Sequence, residues 1–289
     1  MSASTNTELP PSSRLKRSPE SRFRLSLPGI AVFNYHGLTD SFSAGIPEAT
    51  QIYWLTPAQF RAHLAHIQQA GFRVAALEEL TTHHPRRNTG VPATVLTFDD
   101  GLESDYTCAL PLLRTFGAPA TFFVNTSTIG QPGYVSWSQL AEMRDAGMSI
   151  QSHSHRHMDL TVLSPEVLKH DLSVSKQQVE DRLGRAVRFL APPHGIVNRR
   201  VLEVALALGY EAVCSTRCVP ARPGSKVITR ITLRSDVQLS DFHGFLTGQP
   251  YRYARRLFPG LIYRPLGMAS HLLQLVRYRW LKQTVPVSK

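Results

Sequence analysis

Val95-Leu96-Thr97-Phe98-Asp99-Asp100-Gly101 is an apolar run that ends on two adjacent carboxylates and a glycine. A lone Asp-Asp-Gly reads as a surface turn, which short polar side chains and glycine favour. Here the preceding residues are too apolar for a surface hairpin. They predict a buried strand over 94–98 that carries both carboxylates to one end of a sheet. Neighbouring residues leaving a strand point differently, so the two aspartates are not equivalent groups. Gly101 lets the backbone turn sharply after them. Downstream stands His153-Ser154-His155-Arg156-His157. One carboxylate with two histidines can hold a divalent ion such as zinc, and the other carboxylate can activate a water on it.

Outward from this stretch the chain alternates between short apolar runs and helical periodicity. Residues 29–34 read as a strand. Thr56 caps a helix with Pro57 at its first position; Phe60, Leu64 and Ile67 recur at helical spacing, and Gly71 stops it. Residues 104–116 read as a helix, 120–124 as a strand, 138–146 as a helix and 148–152 as a strand ending at the histidines. Ser164 and Pro165 open a long helix that runs to Gly184. After it come a strand at 187–191, a helix at 198–208, a strand at 210–215 and a strand at 227–233. Such repeated units imply an α/β sheet or barrel with its chemistry at the carboxyl ends of the strands. Asp99 and Asp100, His153 and His157, and the stretch Pro192–Gly195 each follow a strand directly, which points to one shared site. No internal repeat is present.

The 289 residues divide into a polar, Pro-broken arm (1–24), one catalytic domain (25–245) and a basic amphipathic extension (246–289). Net charge is +11, from 32 Lys and Arg against 21 Asp and Glu, which fits an anionic partner or a basic background. Asp241 is the last acidic residue. Beyond it Arg252, Arg255, Arg256, Arg264, Arg277 and Arg279 interleave with Tyr251, Tyr253, Tyr263, Tyr278 and Trp280. That mixture fits peripheral contact with an anionic membrane, or a helix packed on the barrel with its arginines in solvent. No stacking motif or basic recognition helix accompanies the charge, so nucleic acid is not an expected partner. No apolar stretch is long enough to span a bilayer and the N-terminus lacks a secretion signal. The expected location is the cytoplasm, with peripheral contact at the inner face of the membrane. Cys108, Cys214 and Cys218 make an odd, low count that fits buried thiols rather than a disulfide framework.

The histidine run is ambiguous by itself. Extended, His153, His155 and His157 share a face; turned into helix, His153 and His157 share one and His155 points away. The strand should end near Ser152, which favours the turned form.

These motifs resemble those of the polysaccharide deacetylases, carbohydrate esterase family 4 with the NodB homology domain. Thr97–Gly101 matches the family's T-F-D-D-G motif and His153–His157 its H-[S/T]-x-x-H motif. Phe189-Leu190-Ala191-Pro192-Pro193-His194-Gly195 takes the place of a third and resembles the F-A-Y-P-Y-G variant of exopolysaccharide and biofilm systems. The resemblance covers roughly 28–240 and implies a distorted (β/α) barrel, a divalent metal, most often Zn2+, and removal of N-acetyl groups from amino sugars. By that resemblance Asp99 is the general base and Asp100, His153 and His157 are the metal ligands. Ser154 buttresses their loop. The His194 backbone N–H, next to Pro193, is an oxyanion or substrate donor.

The usual Arg of the third motif is Ala191 here. Relatives of this variant carry an arginine in a later strand, and Arg230 matches that position: it either orients Asp99 or is a surface residue. The family's late Leu-x-His is absent. His243 is the only late candidate, whereas Phe33-Asn34-Tyr35-His36-Gly37 fits the early Y-H signature of biofilm-type relatives. His36 is therefore assigned as the acid that protonates the leaving amine. The expected substrate is an N-acetylated polysaccharide, oligosaccharide or lipid-linked glycan. The rival class is a catalytically inactive barrel that binds glycan or scaffolds an assembly.

Overall fold

The computed structural model describes residues 26–42, 46–81 and 90–257. The arm over 1–24 and the part of the basic extension beyond 257 lie outside the described residues. The strands are β1 (Ala31–Tyr35), β2 (Arg73–Ala75), β3 (Ala93–Phe98), β4 (Thr121–Val124), β5 (Ser149–Ser152), β6 (Phe189–Leu190), β7 (Ala212–Ser215), β8 (Val227–Thr229) and β9 (Ile231–Thr232). The helices are α1 (Glu48–Gln51), α2 (Pro57–Gln69), α3 (Leu110–Thr115), α4 (Trp137–Asp145), α5 (Pro165–Leu183), α6 (Arg199–Ala207), α7 (Leu239–Leu246) and α8 (Pro250–Leu257).

Helix starts obey local chemistry. Thr56 Oγ1 accepts from Gln59 N–H at 3.1 Å while Gln59 Oε1 accepts from Thr56 N–H at 2.9 Å, and Ser136 and Gln139 repeat this reciprocal cap on α4. Ser164 and Pro165 open α5, and Gly184, with φ of 61°, closes it.

Among the described residues the ladders between these strands are all parallel, in the order β8-β7-β6-β5-β4-β3-β1-β9, with β2 beside β3. The two ends of that order are consecutive in the chain. The run expected as one strand over 227–233 is two, broken at Arg230. Arg230 N–H still donates to Ser215 O of β7, and the next residue, Ile231, pairs with Phe33 of β1. One short segment thus changes partner and closes the sheet into a distorted barrel.

The period of two along each strand divides the core. Phe33, Tyr35, Leu96, Phe98, Phe122 and Val124 belong to a large outer cluster with residues of the helices. Val32, Val95, Phe123, Phe189, Ala191, Cys214 and Ile228 form a smaller cluster that fills the barrel. Cys214 and Cys218 are buried, which pushes their thiols up to about 12 and leaves them inert.

Three local expectations change. The helix over 104–116 begins as a π-helical turn, Asp105–Ala109, before α3. Pro111 has no N–H to return to the preceding turn, and a wider turn accommodates that gap. The strand at 187–191 shortens to Phe189–Leu190. The packed core also runs past 245. Leu246 of α7 and Ala254 of α8 are buried, and Tyr253 of α8 is fully buried with its hydroxyl donating to Phe245 O at 2.7 Å.

Candidate active site

The carboxyl ends of β1, β3, β5, β6 and β9 open into a cleft of about 1060 Å³ lined by His36, Asp99, Asp100, His153, His157, His194 and Thr232 among others. Pro193 is buried beneath it. Asp100 Oδ1 lies 3.3 Å from His153 Nε2 and 3.2 Å from His157 Nε2. The three ligand atoms lie within 4.8 Å of one another, the one such cluster among the described residues.

The histidines converge, but not by the expected helical turn. Residues 153–157 form a loop in which Ser154 (φ 68°) and His157 (φ 53°) take left-handed backbone. Ser154 Oγ accepts from His157 N–H at 3.1 Å, and Ser152 Oγ accepts from Ser154 N–H at 3.2 Å. His155 points elsewhere, with Nδ1 2.9 Å from Thr126 Oγ1. Asp100 (φ 81°) and His194 (φ 61°) complete the set of non-glycine residues with positive φ among the described residues. Left-handed backbone is costly for such residues and collects at functional sites.

This donor set fits a divalent cation. Ala191 O can only accept, so its 2.7 Å contact places a proton on His153 Nδ1 and turns Nε2 toward Asp100. Burial pushes the Asp100 carboxyl up, but His153 and His157 outweigh it and hold it well below its ordinary value. Burial likewise pushes His153 down, and Asp99 and Asp100 draw it above its ordinary value. The negative potential that favours a proton there also favours a cation.

Asp99 is buried one residue earlier. Arg230 Nη1 donates to Oδ1 at 2.6 Å and Nη2 to Oδ2 at 2.8 Å; Asn34 Nδ2 adds a bond to Oδ2 at 3.0 Å. Arg230 is fully buried, so of its two sequence readings the surface residue is excluded. Its guanidinium also lies over the Phe123 ring at 5.1 Å, and so caps the apolar filling of the barrel. Burial raises the Asp99 carboxyl, and Arg230 with His153 and His36 brings it below its ordinary value. Asp99 is therefore a fixed anion.

His36 comes directly after β1 and lines the same cleft, its ring 5.3 Å from that of Tyr53. Burial lowers its pKa against the pull of Asp100 and Asp99, and its Nδ1 is buried without a hydrogen-bond partner. His243 is instead paired with His66, its Nδ1 2.9 Å from His66 Nε2, between α7 and α2.

Sequence reading missed Asn34, Asp171 and Arg256. Asp171 is buried on α5 and accepts from the His155 and Arg156 N–H groups at 2.8 and 3.2 Å, which braces the histidine loop. Its signal was available: an aspartate on the buried face set by Leu168, Leu172 and Val179 needs partners. Arg256 lines the cleft from α8.

Residues 86–213 match the family model described as Polysaccharide deacetylase. Over 247 residues the chain is 22% identical to the poly-beta-1,6-N-acetyl-D-glucosamine N-deacetylase of Staphylococcus aureus (strain MRSA252), covering 80% of this chain and 85% of that one. Over 129 residues it is 32% identical to the peptidoglycan-N-acetylmuramic acid deacetylase PdaA of Bacillus subtilis (strain 168), covering 44% and 47%. The chain spans about half to two thirds of the length of the first curated relatives it matches, from 47% to 64%. Among solved structures, the Streptococcus pyogenes deacetylase PplD in complex with acetate superposes with a TM-score of 0.67 at 25% identity, covering 77% of this chain and 99% of that one.

Proposed function

The chain carries a polysaccharide deacetylase domain, and from that premise we propose that it is a metal-dependent hydrolase removing N-acetyl groups from the amino sugars of a glycan. The observation that carries this reading is the adjacency of two differently held carboxylates: Asp100 facing His153 and His157, and Asp99 clamped by Arg230. Asp100, His153 and His157 would hold the ion. When bound, a divalent cation, Zn2+ by preference for this donor set, supplies Lewis-acid polarisation of an acetamide carbonyl and of water.

This chain's residues do the rest. Asp99, kept anionic, takes the proton of the water that adds to the acetyl carbon. The His194 backbone N–H donates to the oxygen on which charge develops. The C–N bond breaks, His36 delivers to the departing amine a proton that balances the one Asp99 took from water, and acetate and a free amino sugar remain. The cleft of about 1060 Å³, with Tyr53, Trp54 and Tyr134 in its walls, offers aromatic surfaces to the apolar faces of a sugar ring. Substrates consistent with it are N-acetylated polysaccharides, oligosaccharides and lipid-linked glycans.

The test is acetate release from N-acetylated chito-oligosaccharides and a lipid-linked N-acetylglucosamine, with zinc or a chelator, by the wild type and Asp99→Asn. Zinc-dependent release that drops by at least about 100-fold in the variant, with metal content retained, is expected. No release from any of these by a protein that binds no metal overturns the reading in favour of a binding-only barrel. Among the described residues no helix is long and apolar enough to cross a membrane. From the basic, aromatic run beyond Asp241 we propose peripheral contact with the inner membrane face, tested by fractionation: protein recovered entirely apart from the membrane fraction overturns it.

A further inference from the structure

Three arginines of α8 stand in unlike positions. Arg252 pairs with Asp241 of α7, and Arg255 lies 3.9 Å from the same carboxylate. Arg256 has no carboxylate partner among the described residues. It turns to the barrel mouth, where one guanidinium nitrogen reaches Thr232 O at 3.4 Å, and it lines the cleft. That position is built. Tyr253 and Ala254 are buried in the outer core, and α8 lies so close to α7 that a Cβ on Gly244 would collide with the Arg252 side chain.

Among the described residues lining the cleft, Arg256 is the only Lys or Arg, against the carboxylates of Asp99, Asp100 and Glu103. Beside it Thr232 lines the same wall, and its buried Oγ1 has no hydrogen-bond partner. A guanidinium with a long, weak carbonyl contact and an unused hydroxyl make a donor pair suited to an oxyanion. A neutral sugar leaves that guanidinium without a charge partner. We propose that Arg256 and Thr232 form a subsite for an anionic substituent, a carboxylate or a phosphate, on or next to the sugar that presents its acetamide to Asp99. This rests on the N-deacetylase reading, which places a sugar in the cleft. It makes Arg256 a specificity residue for anionic over neutral glycans.

Two readouts test it. The first is calorimetric binding of an N-acetylmuramic acid-containing disaccharide, of N-acetylglucosamine 1-phosphate and of neutral chitobiose, in chelator so that no metal holds the anion. Wild type is expected to bind at least one anionic ligand about tenfold more tightly than chitobiose, and Arg256→Gln to lose that preference. The carboxylate and phosphate arms show which anion is read. The second is the ratio of kcat/KM for anionic over neutral N-acetylated substrates, which should fall about tenfold in Arg256→Gln, and in wild type as salt rises. The wild-type salt dependence answers the question even if the variant misfolds. Equal preference in wild type and a folded Arg256→Gln, or a wild-type ratio indifferent to salt, overturns the subsite while leaving the deacetylase reading intact. Absence of acetate release from every substrate strikes the deacetylase reading instead, and the binding arm then still decides the subsite.

Discussion

Arg230 and Asp99 meet through paired contacts of 2.6 and 2.8 Å across 131 residues of sequence. Neither group reaches solvent to any useful extent, so each is the other's counter-charge. Removing one partner strands the other. Arg230→Met should cost about 3–5 kcal/mol of stability, measured by urea unfolding. Adding Asp99→Leu should restore part of that stability and none of the acetate release. If Arg230→Met is as stable as wild type, the pair is not what holds the carboxylate.

A second expectation concerns acid. His63 lies on α2 with Nδ1 3.2 Å from the Tyr35 hydroxyl and its ring stacked on Phe242. Burial, and then His66, lower its pKa to about 4. In the unfolded chain a histidine takes up its proton near about pH 6.5. Between those values the unfolded state binds a proton that the folded state refuses, so this contribution to stability is fully present above the higher value and declines as pH falls. The loss should total about 3 kcal/mol below the lower value. His63→Phe should flatten the fall of the melting temperature over that window; an unchanged profile would assign acid sensitivity to other groups.

The two faces of the histidine run should separate cleanly. If Asp100, His153 and His157 hold the ion as proposed, His153→Ala and His157→Ala should each weaken zinc binding by more than the roughly 10–100-fold that loss of a supporting residue costs. His155→Ala removes a contact to Thr126 and should leave stoichiometric zinc, read by elemental analysis. Equal loss in all three variants would mean that the loop itself had collapsed.

Truncation tests the contribution of α8. A chain stopped after Leu257 keeps that helix with its buried Tyr253 and Ala254. One stopped after Leu246 also loses Tyr253 and Ala254 from the core. It should be destabilised by about 3–5 kcal/mol, the usual cost of deleting a large buried aromatic. If the basic extension touches membranes, the first truncation alone should lower binding to anionic vesicles. Undiminished vesicle binding would mean that the extension makes no membrane contact.

What could be read in advance was local. Asp99, Asp100, His153 and His157 sit in short motifs that mark them as candidates for one site, where the structure brings them together, and capping pairs such as Thr56 with Gln59 announce helix starts within four residues. Arg230 was readable only as two alternatives, because its side chain gains meaning from a strand 131 residues earlier. The histidine run reads in sequence as a helical turn and folds as a loop, since nothing within it reveals that Asp171, on the next helix, satisfies its backbone donors. Asn34 and Arg256 have no local signature at all. One borrows its role from Asp99, and the other from where α8 docks. The split of 227–233 at Arg230 depends on the far ends of the sheet meeting, which no window of sequence contains.

The change of partner at Arg230 also orders events during synthesis. A growing chain presents Asp99, Asp100, His153 and His157 long before Val227 leaves the ribosome. Until Arg230 follows them, the Asp99 carboxylate lacks the guanidinium that faces it in the folded protein. The residue at which the barrel closes is thus also the counter-charge of Asp99, so closing the sheet and pairing that carboxylate are one event.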